Sequence, residues 1–166
     1  MKVIMTNREL VDLFDAMKQI GDTEKQDKWF TYALILNEEN LKSKVTAVLE
    51  CGKPKDKFRE YEDIHQELIK RYADRDEDDN VVVDNTSHMI KIKPAFVEEA
   101  RSQFNALDEK FVDILDERIQ DLKKFKEILD AEVVVDIEQV SLKCFPEDMN
   151  KLMLRALKPL IKVECN

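Results

Sequence analysis

The stretch PAFVEEARSQFNALDEKFVDILDERIQDLKKFKEILD, residues 94–130, decides the fold class. Val97, Ala100, Phe104, Leu107, Phe111, Leu115, Ile119, Leu122, Phe125 and Leu129 recur at alternating three- and four-residue steps, which places them along one face of a helix. At a rise of about 1.5 Å per residue, a single helix over the whole stretch spans roughly 50 Å. So long a stripe needs long partners, and the pattern predicts two further helices beside it in a coiled-coil-like bundle. Self-association along the remaining stripe is the other solution.

Partners of the required length lie upstream. Thr6-Asn7-Arg8-Glu9 has the form of a capping box, opening a first helix that carries Leu10, Leu13, Phe14, Met17 and Ile20 and closes at Gly21. Thr23 can cap a second, long helix with Trp29, Phe30, Ala33, Leu34, Leu41, Val45 and Val48 among its apolar positions, ending before Cys51-Gly52. Pro54 suits the first turn of a third helix bearing Phe58, Tyr61, Ile64, His65, Leu68, Ile69 and Tyr72. The short connection makes helices two and three an antiparallel pair. Between this third helix and residue 94, Val81-Val82-Val83 and Met89-Ile90-Lys91-Ile92-Lys93 predict a hairpin of two short strands. Residues 132–145 read as a strand through Val133, Val135, Ile137, Val140 and Leu142. Pro146-Glu147-Asp148 starts a short last helix through Leu157, Pro159 ends it, and residues 160–163 return as an edge strand. The expected class is mainly α with a small β element (α+β): an antiparallel long-helix bundle with a β-hairpin and a C-terminal strand. With no repeat and no Gly/Ser-rich or Pro-rich linker, residues 1–166 are expected to form a single domain.

Composition narrows the function classes. A formal net charge of −9 repels polyanions, which argues against general nucleic-acid binding while leaving room for a local basic pocket. Cys51, Cys144 and Cys165 are widely spaced, with no C-x-x-C pair and no histidine at metal-ligand spacing, so they read as reduced thiols. No secretory signal opens the sequence and no apolar run is long enough to span a bilayer; the expected location is cytoplasmic, without membrane contact.

The candidate chemistries thin out on inspection. Asp74, Asp76, Asp78 and Asn80 alternate as calcium-loop ligands do, but Asp79 stands where the loop needs glycine and Asn85 where it needs a bidentate glutamate. A solvated acidic turn is the reading. His65 lies beside Ile64 and Leu68, as a core or boundary histidine would, and neither it nor His88 sits in a metal motif. A Cys–His nucleophile would require Cys51 or Cys144 to meet one of them in space. Two glycines cannot build a Gly-rich phosphate loop, and paired carboxylates carry little information among 36 acidic residues. Binding is therefore expected rather than catalysis, with no cofactor and no metal.

Two basic groups stand out against the acidic whole. Within residues 40–59, Lys42, Lys44, Lys53, Lys55, Lys57 and Arg59 face only Glu50 and Asp56, around a helix N-terminus whose free N–H groups would favour a phosphate. The alternative is a solubilising, lysine-rich turn. Lys151, Arg155 and Lys158 gather near one face of the last helix, with Lys162 beyond. Arginine can fork onto phosphate, whereas lysine offers a flexible point charge. The candidate ligand-binding residues are thus Lys53, Lys55, Lys57, Arg59, Lys151, Arg155 and Lys158. Trp29, Phe30, Tyr32, Tyr61 and Tyr72 could stack on a base, but their helical spacing assigns them to the core.

Lys28-Trp29-Phe30-Thr31-Tyr32-Ala33-Leu34-Ile35-Leu36-Asn37, then Arg71-Tyr72-Ala73-Asp74 with its acidic continuation, and finally residues 132–146 follow one another in an order that resembles an uncharacterised family of small bacteriophage-encoded proteins. The chain departs from that family's pattern at Asn80-Val81, where a glycine usually follows the acidic turn. The resemblance implies a phage accessory protein in the host-cell cytoplasm, of a kind that often inhibits host defence or sequesters its ligands. The expected function is non-enzymatic binding of an anionic small molecule, such as a phosphorylated nucleotide signal. The alternatives are a helical interaction module that inhibits a host protein, and a virion structural or assembly protein.

Overall fold

A strand that the pattern of helices conceals opens the chain. In the computed structural model, which describes residues 1–20, 27–84 and 88–162, Lys2–Thr6 form β1 and Glu132–Asp136 form β2. The two pair antiparallel, with Ile4 opposite Val134 and Val3 opposite Val135. Hydrogen bonds from Ile137 N–H to the Met1 carbonyl (2.8 Å) and from Asn7 N–H to the Ala131 carbonyl (2.9 Å) fix which residues exchange ladder bonds. Bonded pairs recur every second residue in an antiparallel ladder. Lys2, Ile4 and Thr6 therefore turn their backbone groups away from β2, and Glu132, Val134 and Asp136 turn theirs away from β1. Met5 and Val135 are buried on the inner face, while Ile4 and Val134 stand together on the outer one.

The chain divides into two compact units, Met1–Lys53 with Lys123–Asn166, and Pro54–Leu122. In the first, the capping box forms: Thr6 Oγ1 accepts from Glu9 N–H, and the Glu9 carboxylate accepts from Thr6 N–H at 2.8 Å. It launches α1, Asn7–Ile20, which packs on α2, Lys28–Glu50, and on α6, Lys151–Ala156. Leu10, Leu13, Met17, Phe30, Leu41, Val45, Leu157 and Leu160 make the core, with the rings of Phe30 and Phe145 4.7 Å apart. One polar side chain is fully buried among them. Asn37 donates to the Ala33 carbonyl (2.7 Å) and the Glu138 carbonyl (2.9 Å), and accepts from Glu138 N–H (2.9 Å), so it pins α2 to the chain leaving β2. A Cβ on Gly52, the second residue after α2, would meet the Phe125 ring at 2.7 Å, so a side chain there would force that ring to shift.

Several boundaries differ from the sequence reading. The N-cap of α2 is Asp27, whose carboxylate accepts from Trp29 N–H (2.8 Å) and Phe30 N–H (3.3 Å); Gly21 and Thr23 lie outside the described residues. The strand expected over 132–145 stops at Asp136 because Asn37 captures Glu138 and Ser141 caps a single 3-10 turn, Leu142–Cys144. The last helix begins at Lys151, after Pro146, since Asn150 rather than the Pro-Glu-Asp run supplies the cap, accepting from Met153 N–H at 2.9 Å. Of the edge strand expected at 160–163, the described part makes one parallel bridge, between Val140 and Ile161.

The second unit is built on α3, Asp56–Tyr72, packed against α4, Val97–Lys110. Lys55 is the N-cap of α3, so Pro54 precedes the helix rather than opening it. The single long helix expected over 94–130 is interrupted. A 3-10 turn covers Pro94–Phe96, and Phe111, with φ −110° and ψ 15°, leaves helical geometry and separates α4 from α5, Val112–Asp130. Leaving the helix lets the Phe111 ring bury edge-on against Tyr61, while Leu115 on α5 is only half-buried. His65 stacks on Tyr61 and faces Phe104, a boundary histidine in an aromatic row.

No hairpin forms among the described residues; isolated antiparallel bridges join Ala73 to Ile92, Arg75 to Val81 and Val83 to Ile90. The reason is shared pairing: Val82 N–H donates to the Asp74 carbonyl (3.0 Å) while its carbonyl accepts from Lys91 N–H (2.9 Å). A third stretch thus competes for the bonds a hairpin would need.

Candidate functional site

Lys55 projects from the start of α3 between two carboxylates of α5. Glu117 pairs with it, and Asp121 lies 3.1 Å away. The Glu117 hydrogen bond, followed by that of Asp121, raises the Lys55 pKa above the ordinary lysine value. A concavity of about 290 Å³ borders it, lined by Lys57, Arg118, Asp56 and the apolar Phe58 and Ile114. Three cations there face three carboxylates. Lys53 pairs with Glu50, Arg59 with Asp56 at 3.6 Å, and Lys57 stays exposed. Even Lys44, part of the same basic stretch, is taken up structurally by donating to the Val134 carbonyl at 2.9 Å. An anion arriving at this helix start would have to displace protein carboxylates that are already in place.

The second basic group is arranged otherwise. A groove of about 670 Å³ runs between β1 and α6 with the segment that follows it. Arg155 and Lys158 line one wall with Ala156, Pro159 and Ile161; Ile4 and Met5 line the other. Most of this lining is apolar. No described carboxylate forms an ion pair with Arg155 or Lys158. Lys151, one turn earlier, is exposed and outside the groove. Of the three residues expected together, the structure brings two to one wall. Two acids sit at the α1 side, Glu9 and Asp12, but the Glu9 carboxylate already holds Thr6.

The β1 wall had no counterpart in the sequence reading. Its signal was present in Lys2-Val3-Ile4-Met5-Thr6, a β-branched run ending on the capping threonine.

Aromatic residues divide in a way the helical spacing obscured. Phe30 and Tyr72 are buried and Tyr61 is half-buried, but Trp29 and Tyr32 are 61% and 54% exposed, which corrects their assignment to the core. Phe30, Ala33, Leu34, Asn37 and Leu41 occupy the inward face of α2, and positions 29 and 32 fall off it. They border a shallow concavity of about 340 Å³ with Ser141, Cys144 and Lys162. Burial, and then the Asp27 carboxylate beside it, push the Cys144 thiol up, which disfavours the thiolate that nucleophilic chemistry requires.

The acidic turn closes on itself. Asp76 accepts from Asn80 N–H (2.8 Å) and Asp78 N–H (3.0 Å), and the Asn80 backbone bond is the first cause of its lowered pKa. Asp79 takes the left-handed φ of 64° at the position where a calcium loop has glycine, and Arg75 donates to its carbonyl at 2.6 Å. Among the described residues no cluster of His, Cys, Asp and Glu is set to hold a metal; Asn85 and Cys165 lie outside them. No described helix is long and apolar enough to cross a membrane. Comparison with known proteins finds no matching family, no matching curated protein and no matching solved structure.

Proposed function

We propose that the chain is a non-enzymatic binding protein whose recognition surface is the groove beside β1, and that its partner is anionic. One observation carries the reading: Arg155 and Lys158 line a mostly apolar groove and form no ion pair with a described carboxylate, whereas Lys55 is paired with Glu117 and Asp121. A guanidinium beside an ammonium suits phosphate or carboxylate, the first as a bidentate fork and the second as a point charge. In the phage setting that the resemblance implies, a protein that holds such a partner in the host cytoplasm counters host defence by sequestration. The partner is then a phosphorylated nucleotide signal or an acidic segment of a defence protein.

A second reading, a helical interaction or assembly module, is favoured by α5, none of whose residues is buried. Val112, Ile119 and Leu122 stay about half exposed along it, a stripe suited to another protein or a second copy.

Calorimetry with phosphorylated nucleotides, on the parent chain and on Arg155→Glu with Lys158→Glu, tests the first reading. Binding by the parent, weakened by salt and lost in the double variant, is the expected result. Equal binding by both proteins would reject the groove.

A further inference from the structure

The two outer edges of the small sheet are treated differently. On β2, the outward carbonyl of Val134 receives the Lys44 ammonium at 2.9 Å. On β1, the outward N–H of Thr6 is held by Glu9 at 2.8 Å. These two bonds independently confirm the parity of the ladder. By the same parity the N–H and C=O of Ile4 and Lys2 point outward, and among the described residues nothing hydrogen-bonds to them. An unpaired edge is a template for another strand. This one borders the groove, with Ile4 66% exposed and Leu152, on α6, 77% exposed.

We propose that the groove takes an extended acidic peptide segment of a partner protein, which adds to β1 as a third strand. The inference rests on reading the groove as the recognition surface, and it names the occupant. The incoming backbone exchanges hydrogen bonds with Ile4 at the usual strand spacing of about 4.8 Å. Because side chains alternate along a strand, one face of the peptide offers apolar groups to Ile4 and the other offers carboxylates to Arg155 and Lys158. Asp12, on the α1 wall, repels an acid at that end and so gives the segment a polarity. A nucleotide would engage the two cations through its phosphates alone, because no aromatic ring lines the groove for a base to stack on.

The test uses the full chain and a fluorescent peptide of alternating valine and glutamate, long enough to span β1, with anisotropy reporting binding and NMR reporting amide exchange. Saturable binding should slow exchange at the Ile4 amide. A peptide N-methylated at alternate residues, with side chains and charge unchanged, should bind at least about tenfold more weakly, and Arg155→Glu with Lys158→Glu should weaken the parent peptide by a similar factor. Ile4→Pro removes the outward N–H without removing a bond to β2, and it should weaken binding with the circular dichroism spectrum retained. Should that variant lose its spectrum, the methylated peptide and the exchange measurement on the parent still decide. Equal binding of the methylated peptide, or unchanged exchange at Ile4 on saturation, overturns strand addition. Adenosine triphosphate, titrated in parallel, separates the failures: nucleotide binding that needs Arg155 and Lys158, with no peptide binding, overturns the peptide and keeps the groove. Binding of neither overturns both.

Discussion

Lys55 and Arg155 belong to basic groups that look alike in the sequence, and the fold gives them opposite fates. Around Lys55 the chain delivers Glu117 and Asp121 from more than sixty residues away. Around Arg155 it delivers the apolar edge of β1 and no described carboxylate partner. Local charge counting cannot distinguish these cases, because the neutralising groups are distant in sequence and meet the lysine only after α5 forms. A basic cluster is open to an incoming anion only where folding leaves it unpaired.

Four experiments would break or sharpen that contrast. The largest effect is expected in the unit that carries Lys55, where Phe111→Ala empties a buried position against Tyr61 and should cost about 3–5 kcal/mol by denaturant unfolding. A loss below about 1 kcal/mol would mean that Phe111 is not part of a packed core. On the groove side, Asn37→Ala leaves the Glu138 N–H and carbonyl without their partner and should cost about 3 kcal/mol, with faster amide exchange along β2. Stability equal to that of the parent chain would remove the role assigned to the buried amide.

Smaller effects discriminate more finely. Glu117→Gln with Asp121→Asn frees Lys55 and should strengthen salt-sensitive anion binding at α3 relative to the parent; binding no stronger than the parent's would show that pairing is not what occupies this group. The change in stability should stay within about 1 kcal/mol, since all these groups are at least partly exposed. Smallest in energy but sharp in pH is Tyr61, whose pKa burial and then the Asp108 hydrogen bond push up to about 12. Its raised folded value means that its contribution is fully present below the ordinary value near 10 and is lost as pH rises through about 12. An ultraviolet titration in which no tyrosine ionises later than that ordinary value would contradict the aromatic row.

Much of the helical frame was legible because its signals are local. Thr6 and Glu9 satisfy each other three residues apart, and the inward face of α2 follows its apolar spacing from Phe30 to Val48. What escaped was non-local or lacked punctuation. Nothing in Lys2-Val3-Ile4-Met5-Thr6 says that its partner lies some 130 residues away, so its pairing and the groove it walls could not be read from that run. No glycine or proline marks Phe111, yet the helix breaks there, and the apolar stripe read as one seam becomes a packed half and an exposed half. The hairpin was read from two stretches when three were competing for the same bonds. Charge and helical face were enough to group Arg155 with Lys158, which the fold places on one groove wall, whereas the pairing of Lys55 with Glu117 and Asp121 depended on contacts that only the fold supplies.

The ammonium of Lys44 on the Val134 carbonyl limits where the sheet can pair. A sheet with two open edges can pass pairing from chain to chain, the geometry from which cross-β fibres grow. Here the far edge is stoppered by a charged side chain, one of the devices by which sheets resist edge-to-edge aggregation. With the β2 edge closed in this way, any strand pairing by this sheet is confined to its β1 side.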